Sequence, residues 1–475
     1  MKKVALHNLG CKVNSYETEV MQQKLQEKGF QIVDFDDVAD VYIVNTCTVT
    51  NMADRKSRQM LHRAKQKNPQ ALVVAAGCYV QTGIETVLQD DSIDLAIGNN
   101  HKKDIVEFIE AYFAEQQTAK DSLLLPRDVA KACDKTLKNK TVLDINHTYE
   151  YEEMCLEQTA EHTRACIKIQ DGCNQFCSYC AIPYARGRVR SRKKEDIFKE
   201  IKGLVKKGYK EIVLTGIHIS SYGVDLEDGD WAKGICTKIM TEKGPAYYGT
   251  PKLIDLTEEI CQIEGLRRVR LGSLEPRIVT EEAAQRLSAL EKLCPHFHLS
   301  LQSGCDAILK RMNRKYTTGE YYTGVEILRK YFEHPAITTD VIVGFPGETE
   351  EEFQQTKEFL EKTGFYEMHI FKYSKRAGTV AASLPGQIEE KVKTARSNQL
   401  QALESAQSRD YRAAYIGKET EVLIEEIKTI QGREYYLGHT PDYVKVAVLA
   451  NTCTLKENTF IRVTPTAFLT EEILV

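Results

Sequence analysis

The sequence predicts an α/β protein in three parts: an open parallel sheet at the N-terminus, a partial barrel of six β/α units, and a small C-terminal β-barrel. Three observations carry this expectation. Short apolar runs alternate with amphipathic stretches from residue 1 to about 115, as parallel strands joined by crossover helices do. The alternation resumes at Thr163 and goes round six times, which suits a barrel or three-quarter barrel. The final 60 or so residues change to short strand-like runs separated by polar turns.

In order along the chain, the first part offers Val4 to Leu9, Val41 to Asn45 and Leu72 to Ala76 as strands, with Ser15 to Lys28 and Asp54 to Lys67 as helices. Gln116 to about Ala160 is polar, without a clear period, and ends in the acidic cluster Glu150, Glu152, Glu153, Glu157 and Glu161, so it reads as a linker. The six central strands are Ala165 to Gln170, Glu211 to Thr215, Arg268 to Gly272, His296 to Leu301, Ile337 to Val343 and Glu367 to Tyr373. Helical patterns lie between them at about Glu195 to Lys207, Leu253 to Ile263, Glu281 to Lys292, Tyr321 to Phe332 and Glu350 to Lys362. Thr420 to Ile424, Glu434 to Leu437, Tyr443 to Val448 and Phe460 to Val463 are the C-terminal strands. The expected division is 1–115, a linker at 116–160, 161–400, and 410–475.

Composition narrows the function. With 475 residues, 42% apolar and only 12 Pro, the chain can bury a large core. Its 64 basic against 68 acidic residues, net charge −4, exclude binding to nucleic acid by bulk charge alone. The start, MKKVALHNLG, lacks a secretory apolar stretch, and runs such as Ala71 to Ala76 fall far short of the roughly 20 residues a membrane span needs. No membrane association and a cytoplasmic location are expected. Fourteen Cys in that reducing setting point to metal ligation or catalysis rather than disulfides.

The sharpest motif is Cys173, Cys177 and Cys180, spaced over eight residues directly after the first barrel strand. Soft thiolates select zinc, copper or iron-sulfur, and a cubane held by only three Cys keeps one iron open. A zinc knuckle completed by Cys166 or His162 is the plainer alternative. A second set emerges from placement: Cys11, Cys47 and Cys78 each follow a strand of the first sheet, at separations of 36 and 31 residues. In a parallel sheet all three emerge on the C-terminal edge, where open α/β sheets bind ligands. Singly, each would be a packed thiol. Together they suggest a second cluster.

The segments LGCKVNSYE (Leu9 to Glu17), NTCTVT (Asn45 to Thr50), GCYVQ (Gly77 to Gln81) and CNQFCSYCAIPYARGRVRSR (Cys173 to Arg192) resemble the radical S-adenosylmethionine (SAM) methylthiotransferases. The resemblance extends through TGIHI, SLEP, LQSG, LKRMNRKYT and VIVGFPGETEEEF to a C-terminal segment similar to a TRAM domain. It covers nearly the whole chain except the linker and residues 224–250, which hold Trp231 and Cys236 and match nothing in the pattern. Two further departures are Cys305 and Cys453, expected to be buried thiols. DGCNQFCSYCAIPYARGR and FKYSKRAGT are most similar to the branch that converts N6-threonylcarbamoyladenosine at tRNA position 37 to its 2-methylthio form. Sister branches act on isopentenyladenosine in tRNA and on an aspartate of a ribosomal protein. A metal-stabilised RNA-binding scaffold without turnover is the alternative from outside the enzymes.

The resemblance implies a Rossmann-like N-terminal domain, a partial (β/α)6 radical SAM barrel and an OB-like TRAM barrel. It implies two [4Fe-4S] clusters, one on Cys173, Cys177 and Cys180 that binds SAM, and an auxiliary one on Cys11, Cys47 and Cys78 that presents sulfur. SAM would be both methyl donor and source of the 5′-deoxyadenosyl radical that the unreactive adenine C2–H demands. The implied partners are the tRNA anticodon stem-loop, a low-potential donor such as flavodoxin or ferredoxin, and a sulfur donor. Candidate SAM contacts are Tyr179, by packing on adenine, and the strand-end residues Thr215, Gly216, Glu275, Gln302, Ser303 and Gly344. Asn14, Asn45 and Gln81 accompany the auxiliary cysteines, as hydrogen-bond donors to sulfur or as helix caps. Arg186, Arg188, Arg190 and Arg192, followed by Lys193 and Lys194, form a cationic run suited to RNA phosphates. A basic helix from Arg55 to Lys67 could extend it. The C-terminal barrel from Gly417 to Val475 has six basic against nine acidic residues, so RNA contact there would rest on stacking by Tyr435, Tyr436 and Tyr443.

Overall fold

The structure is a computed structural model and describes residues 1–121, 141–159, 163–226, 239–241, 244–246, 250–452 and 454–475. Cys133, Glu161, His162, Trp231, Cys236 and Cys453 lie outside the described residues. The chain forms two compact units. One comprises Met1–Gln158, Lys168–Glu200 and Ser374–Thr379; the other comprises Thr159–Ile167, Ile201–Tyr373 and Val380–Val475.

The first unit is built on a five-stranded parallel sheet: β1 (Lys3–Asn8), β2 (Gln31–Val33), β3 (Val41–Thr46), β4 (Leu72–Gly77) and β5 (Leu95–Ile97). The order is β2-β1-β3-β4-β5, the flavodoxin-like arrangement, which reverses direction between β1 and β3. Every residue of β3 and β4 is buried, as expected of central strands covered on both faces. Val4, Val41, Ile43, Val74 and Ala76 pack on one face against Tyr16, Val20 and Leu25 of helix α1 (Lys12–Glu27). Ala5, Tyr42, Val44, Val73 and Ala75 pack on the other against Leu61 and Ala64 of α2 (Asn51–Lys67).

The expected linker is corrected where it is described. Met154 and Leu156 are each 1% exposed and join the core under α1, and the Tyr16 hydroxyl donates to the Met154 carbonyl at 2.6 Å. Thr141 accepts from Gly98 N through its carbonyl at 3.0 Å beside β5. The few apolar residues here are spaced too irregularly to register as a helix or strand, yet they are what the fold buries.

The second unit carries the remaining α/β repeats. Glu211–Gly216 pairs in parallel with Arg268–Leu271, and a three-stranded parallel sheet joins His296–His298, Ala336–Val343 and Glu367–Lys372. Isolated parallel bridges, Val269 to Leu293 and Leu274 to Leu299, continue one sheet towards the next, giving the curled partial barrel. Of the strand Arg164–Asp171, the residues up to Ile167 fall in the second unit and those from Lys168 in the first. A 24-residue helix, Glu390–Ala413, which the sequence reading did not anticipate, precedes the C-terminal sheet. That sheet has five strands, mostly antiparallel, and includes Thr420–Ile430, Arg433–His439, Lys445–Leu449 and Thr459–Val463.

Candidate active site

Cys11, Cys47 and Cys78 come to one edge of the first sheet. Asn8 pairs with Asn45 and Thr46 with Gly77, so Cys47 and Cys78 each stand one residue beyond a paired position on neighbouring strands. Cys11 is the N-cap of α1, on the other side of the β1/β3 switch point, where sheets of this order bind ligands. Gly10, at φ 116°, makes the approach possible: a Cβ there would lie 3.0 Å from Cys47 Cβ and 3.1 Å from its Sγ. Burial pushes the Cys47 thiol up to about 11, and the neighbouring Cys78 and Cys11 push the same way. Cys78 accepts a long contact from Asn99 Nδ2 at 3.5 Å.

The second set sits on a loop fixed at both ends. Gly172, at φ 71°, has no room for a Cβ, which would lie 1.8 Å from the Arg188 carbonyl oxygen. Cys173 N donates to the Gly187 carbonyl and Cys180 N to the Cys177 carbonyl, both at 3.0 Å. Cys177 is buried, while Cys173 and Cys180 are partly exposed. Cys166, the alternative zinc ligand, lies on the preceding strand Arg164–Asp171.

A buried ionic network joins the segments that carry the two sets. Arg186 Nη1 and Nη2 donate to the two Glu17 oxygens at 2.8 and 3.0 Å, and Nη2 also reaches Asn14 Oδ1 at 2.5 Å. Asn14 Nδ2 in turn donates to the Leu9 and Thr46 carbonyls at 2.7 and 3.0 Å. Asp171, just before Cys173, pairs with Lys168 at 2.7 Å and Arg186 at 3.2 Å, and Lys102 and Lys168 complete the shell around Glu17. These cations hold the Glu17 and Asp171 carboxyls well below the usual range despite burial.

The network contains four cations, Lys102, Lys168, Arg186 and Arg190, against the carboxylates of Glu17 and Asp171, with the Glu152 carboxyl, which burial pushes up, nearby. Buried charge requires a counter-charge. Arg186 is also drawn towards its charged form by Cys78. Soft sulfur donors beside surplus buried cations fit an anionic thiolate-bound metal cluster.

These contacts correct part of the RNA expectation. Arg186, Arg190 and Arg192 are 0% exposed, their charges turned inward to carboxylates, Arg192 to Glu153 and Glu200. A phosphate finds no surface on them. Arg188 remains partly exposed, its guanidinium 4.4 Å from the Phe176 ring centroid, near the exposed Tyr184. Lys193, Lys194 and Arg55 are exposed. Tyr435 and Tyr436, each 6% exposed, belong to the C-terminal core, and Tyr443 stacks on His439 at 4.7 Å, so the expected stacking surface is spent on packing.

Tyr179 is half-buried in the first unit. Thr215, Glu275 and Gln302 are buried near the strand ends of the second unit, and Gly216 is partly exposed. Gln302 holds φ 74°, an uncommon backbone state for a non-glycine residue and a frequent mark of ligand-facing turns. Gly344, at φ 72°, opens a turn closed by Glu348, which accepts from Gly344 N and Arg396, both at 2.7 Å. Ser303 is corrected: it is 0% exposed, its hydroxyl 3.1 Å from Thr356 Oγ1 and accepting from Cys305 N at 3.2 Å. Cys305 is buried as expected.

Asn45 donates to the Asn14 carbonyl and Gln81 to the Leu143 carbonyl, so both amides hold backbone. Sequence reasoning missed Asn99 and Arg376. Arg376 Nη2 donates to Thr48 Oγ1 at 2.6 Å, and Nη1 to Asn51 Oδ1 and Asp54 Oδ2 at 2.7 and 2.6 Å. It clamps the segment after Cys47. The signal was FKYSKRAGT, noted only as a mark of the branch.

Residues 3–98 match the uncharacterised protein family UPF0004 and residues 167–360 the radical SAM superfamily. The chain is 38% identical over 447 residues to the threonylcarbamoyladenosine tRNA methylthiotransferase MtaB of Bacillus subtilis, covering 94% of this chain and 90% of the relative. The chain belongs to the radical SAM tRNA methylthiotransferases. MtaB of Aquifex aeolicus is 37% identical over 91% of this chain and 95% of its own length. A relative from Thermoanaerobacter sp., a tRNA-2-methylthio-N(6)-dimethylallyladenosine synthase, is 34% identical over 89% of this chain and 82% of its own length. In fold alone, the radical SAM methyltransferase TsrM from Kitasatospora setae, solved with tryptophan and a SAM analogue, matches at TM-score 0.52 and 14% identity, over 78% of this chain and 73% of that one. The cofactors of this methylthiotransferase family are SAM and [4Fe-4S] clusters. No helix among the described residues is long and apolar enough to cross a membrane.

Proposed function

We propose that this methylthiotransferase converts N6-threonylcarbamoyladenosine at tRNA position 37 to the 2-methylthio derivative. Methylthiolation rests above all on two cysteine triads within one compact unit, linked through Arg186, Glu17 and Asp171; the choice of substrate rests on the higher identity to the threonylcarbamoyladenosine enzymes, 37–38% against 34% for the dimethylallyladenosine relative. Cys173, Cys177 and Cys180 would hold the SAM-binding [4Fe-4S] cluster, and Cys11, Cys47 and Cys78 the auxiliary one. When bound, the first cluster together with SAM would supply a 5′-deoxyadenosyl radical able to take hydrogen from adenine C2, and the auxiliary cluster the sulfur that carries the methyl group.

The chain's own contribution is charge, position and exclusion of water. Arg186 and its neighbours offset thiolate charge that the buried site could not otherwise hold. Gly10 and Gly172 set the two loops. Arg376 fixes the segment behind Cys47. The exposed Lys193 and Lys194 and the partly exposed Arg188 are the cations offered beyond the cluster loop for RNA phosphate, and Tyr179, Thr215, Gly216, Glu275, Gln302 and Gly344 remain candidate SAM contacts. The reaction consumes one SAM as methyl donor and another, with a low-potential electron donor such as flavodoxin or ferredoxin, as radical source. A sulfur donor completes the balance, and a cytoplasmic location accords with tRNA as substrate.

Mass spectrometry of tRNA nucleosides from cells with and without this gene tests the assignment. Loss of 2-methylthio-threonylcarbamoyladenosine with accumulation of its precursor is expected. An unchanged level without a second such enzyme, or loss of the dimethylallyl derivative instead, would contradict it.

A further inference from the structure

His298, Asp340 and His369 stand on three adjacent parallel strands of the second unit, with one ligand atom from each within 4.8 Å of the others. Register brings them together: His298 pairs with Thr338, and Asp340 with His369. His298 Nδ1 lies 3.0 Å from Thr338 Oγ1 and its Nε2 3.2 Å from Asp340 Oδ2, while the His298 and His369 rings stack at 5.8 Å. Side chains alternate along a strand, so the opposite face carries Leu299, Thr339 and Val341, all 0% exposed, under the helix that holds Tyr321.

The face of the trio is built differently. A filled barrel lines its interior with branched apolar side chains. Here the Ser273 and Ser300 hydroxyls meet at 3.0 Å on an exposed surface, and His369 is exposed. Phe371, two residues beyond His369 on the same strand, is 47% exposed. An aromatic ring beside two imidazoles and a carboxylate suits a planar base that carries a polar substituent.

We propose that His298, Asp340 and His369 read the amino-acid substituent on the target adenine, with Phe371 against the base, and so select a threonylcarbamoylated nucleoside over one bearing a hydrocarbon group. This rests on the substrate assignment above. Asp340 accepts from the substituent's hydroxyl or carbamoyl N–H. His369, whose ring nitrogens make no hydrogen bond among the described residues, donates to its carboxylate. Two imidazoles and a carboxylate also suit a divalent metal ion; the open polar face with its exposed ring favours the organic ligand.

The test uses the full-length enzyme with both clusters reconstituted. Anticodon stem-loops carry threonylcarbamoyl-, dimethylallyl- or unmodified adenosine, and iron content serves as the control for folding. His369→Phe should raise KM for the threonylcarbamoyl RNA about tenfold or more, change kcat less, and narrow its preference over the dimethylallyl RNA by about tenfold. Asp340→Asn should shift the same ratio, and His369→Gln, which keeps a donor, should recover most of it. An equal loss on all RNAs, no change on any, or one zinc or manganese per chain that vanishes with His369 and is needed for activity would overturn the proposal. If the wild type prefers threonylcarbamoyladenosine and the variants keep that preference, only this inference fails. If the wild type acts on the dimethylallyl RNA alone, the substrate assignment fails and takes this inference with it.

Discussion

Arg186 is the side chain on which the buried chemistry of the first unit converges, pairing with Glu17 and Asp171 and holding Asn14. Replacing it by methionine leaves two buried carboxylates short of a partner, a change that costs about 3–5 kcal/mol. Arg186→Met is expected to lower the apparent melting temperature by several degrees and to bind less iron; unchanged stability and iron would contradict the role given to it. Arg186→Lys should recover only part, because an ammonium cannot make the paired contact to Glu17. Asp442 offers a pH test in the second unit. Burial pushes its carboxyl up to about 6, against the lowering by the Tyr415 hydroxyl it accepts from at 2.6 Å. The folded state then holds the proton more tightly than the unfolded state does, so this group favours folding at low pH and loses up to about 3 kcal/mol of that advantage as pH rises from 4 to beyond 6. Asp442→Asn should match the wild type near pH 4 and be more stable at pH 8, read from apparent melting temperatures across that range. A difference independent of pH would contradict it.

The loop between Gly172 and Gly187 shows how closely an element is specified. A Cβ at Gly172 would meet the Arg188 carbonyl at 1.8 Å and one at Gly187 the Ile145 carbonyl at 2.2 Å, so neither position has space for a side chain. Gly172→Ala is expected to destabilise by more than about 4 kcal/mol, seen as loss of soluble protein or of the iron-sulfur absorbance of this loop. A soluble variant with full absorbance would contradict that. Strands such as Val41–Thr46 and Leu72–Gly77 were legible in the sequence because both faces are apolar, and the cysteines after them were therefore legible as neighbours. The arginines were not. A run of cations looks the same in one dimension whether it faces water or carboxylates, and Glu17, 169 residues from Arg186, gave no local sign of its role. The sheet order β2-β1-β3-β4-β5 also had to come from the fold, since strand adjacency is set by packing between distant segments.

At the scale of the whole molecule, the sequence placed the SAM-cluster loop with the barrel, whereas the compact units place Lys168–Glu200 and Ser374–Thr379 with the N-terminal sheet. The triads therefore share a unit although more than 90 residues separate Cys78 from Cys173. That the strands run parallel could be read in advance; the buried ion pairs that bring the loop to the sheet could not. The most direct measurement of this arrangement is iron and sulfide per chain in the anaerobically reconstituted protein, beside Cys173→Ala and Cys47→Ala. About eight irons are expected in the wild type and about four in each variant, with distinct spectra for the cluster that remains. Four irons in the wild type that survive Cys47→Ala unchanged would contradict the account.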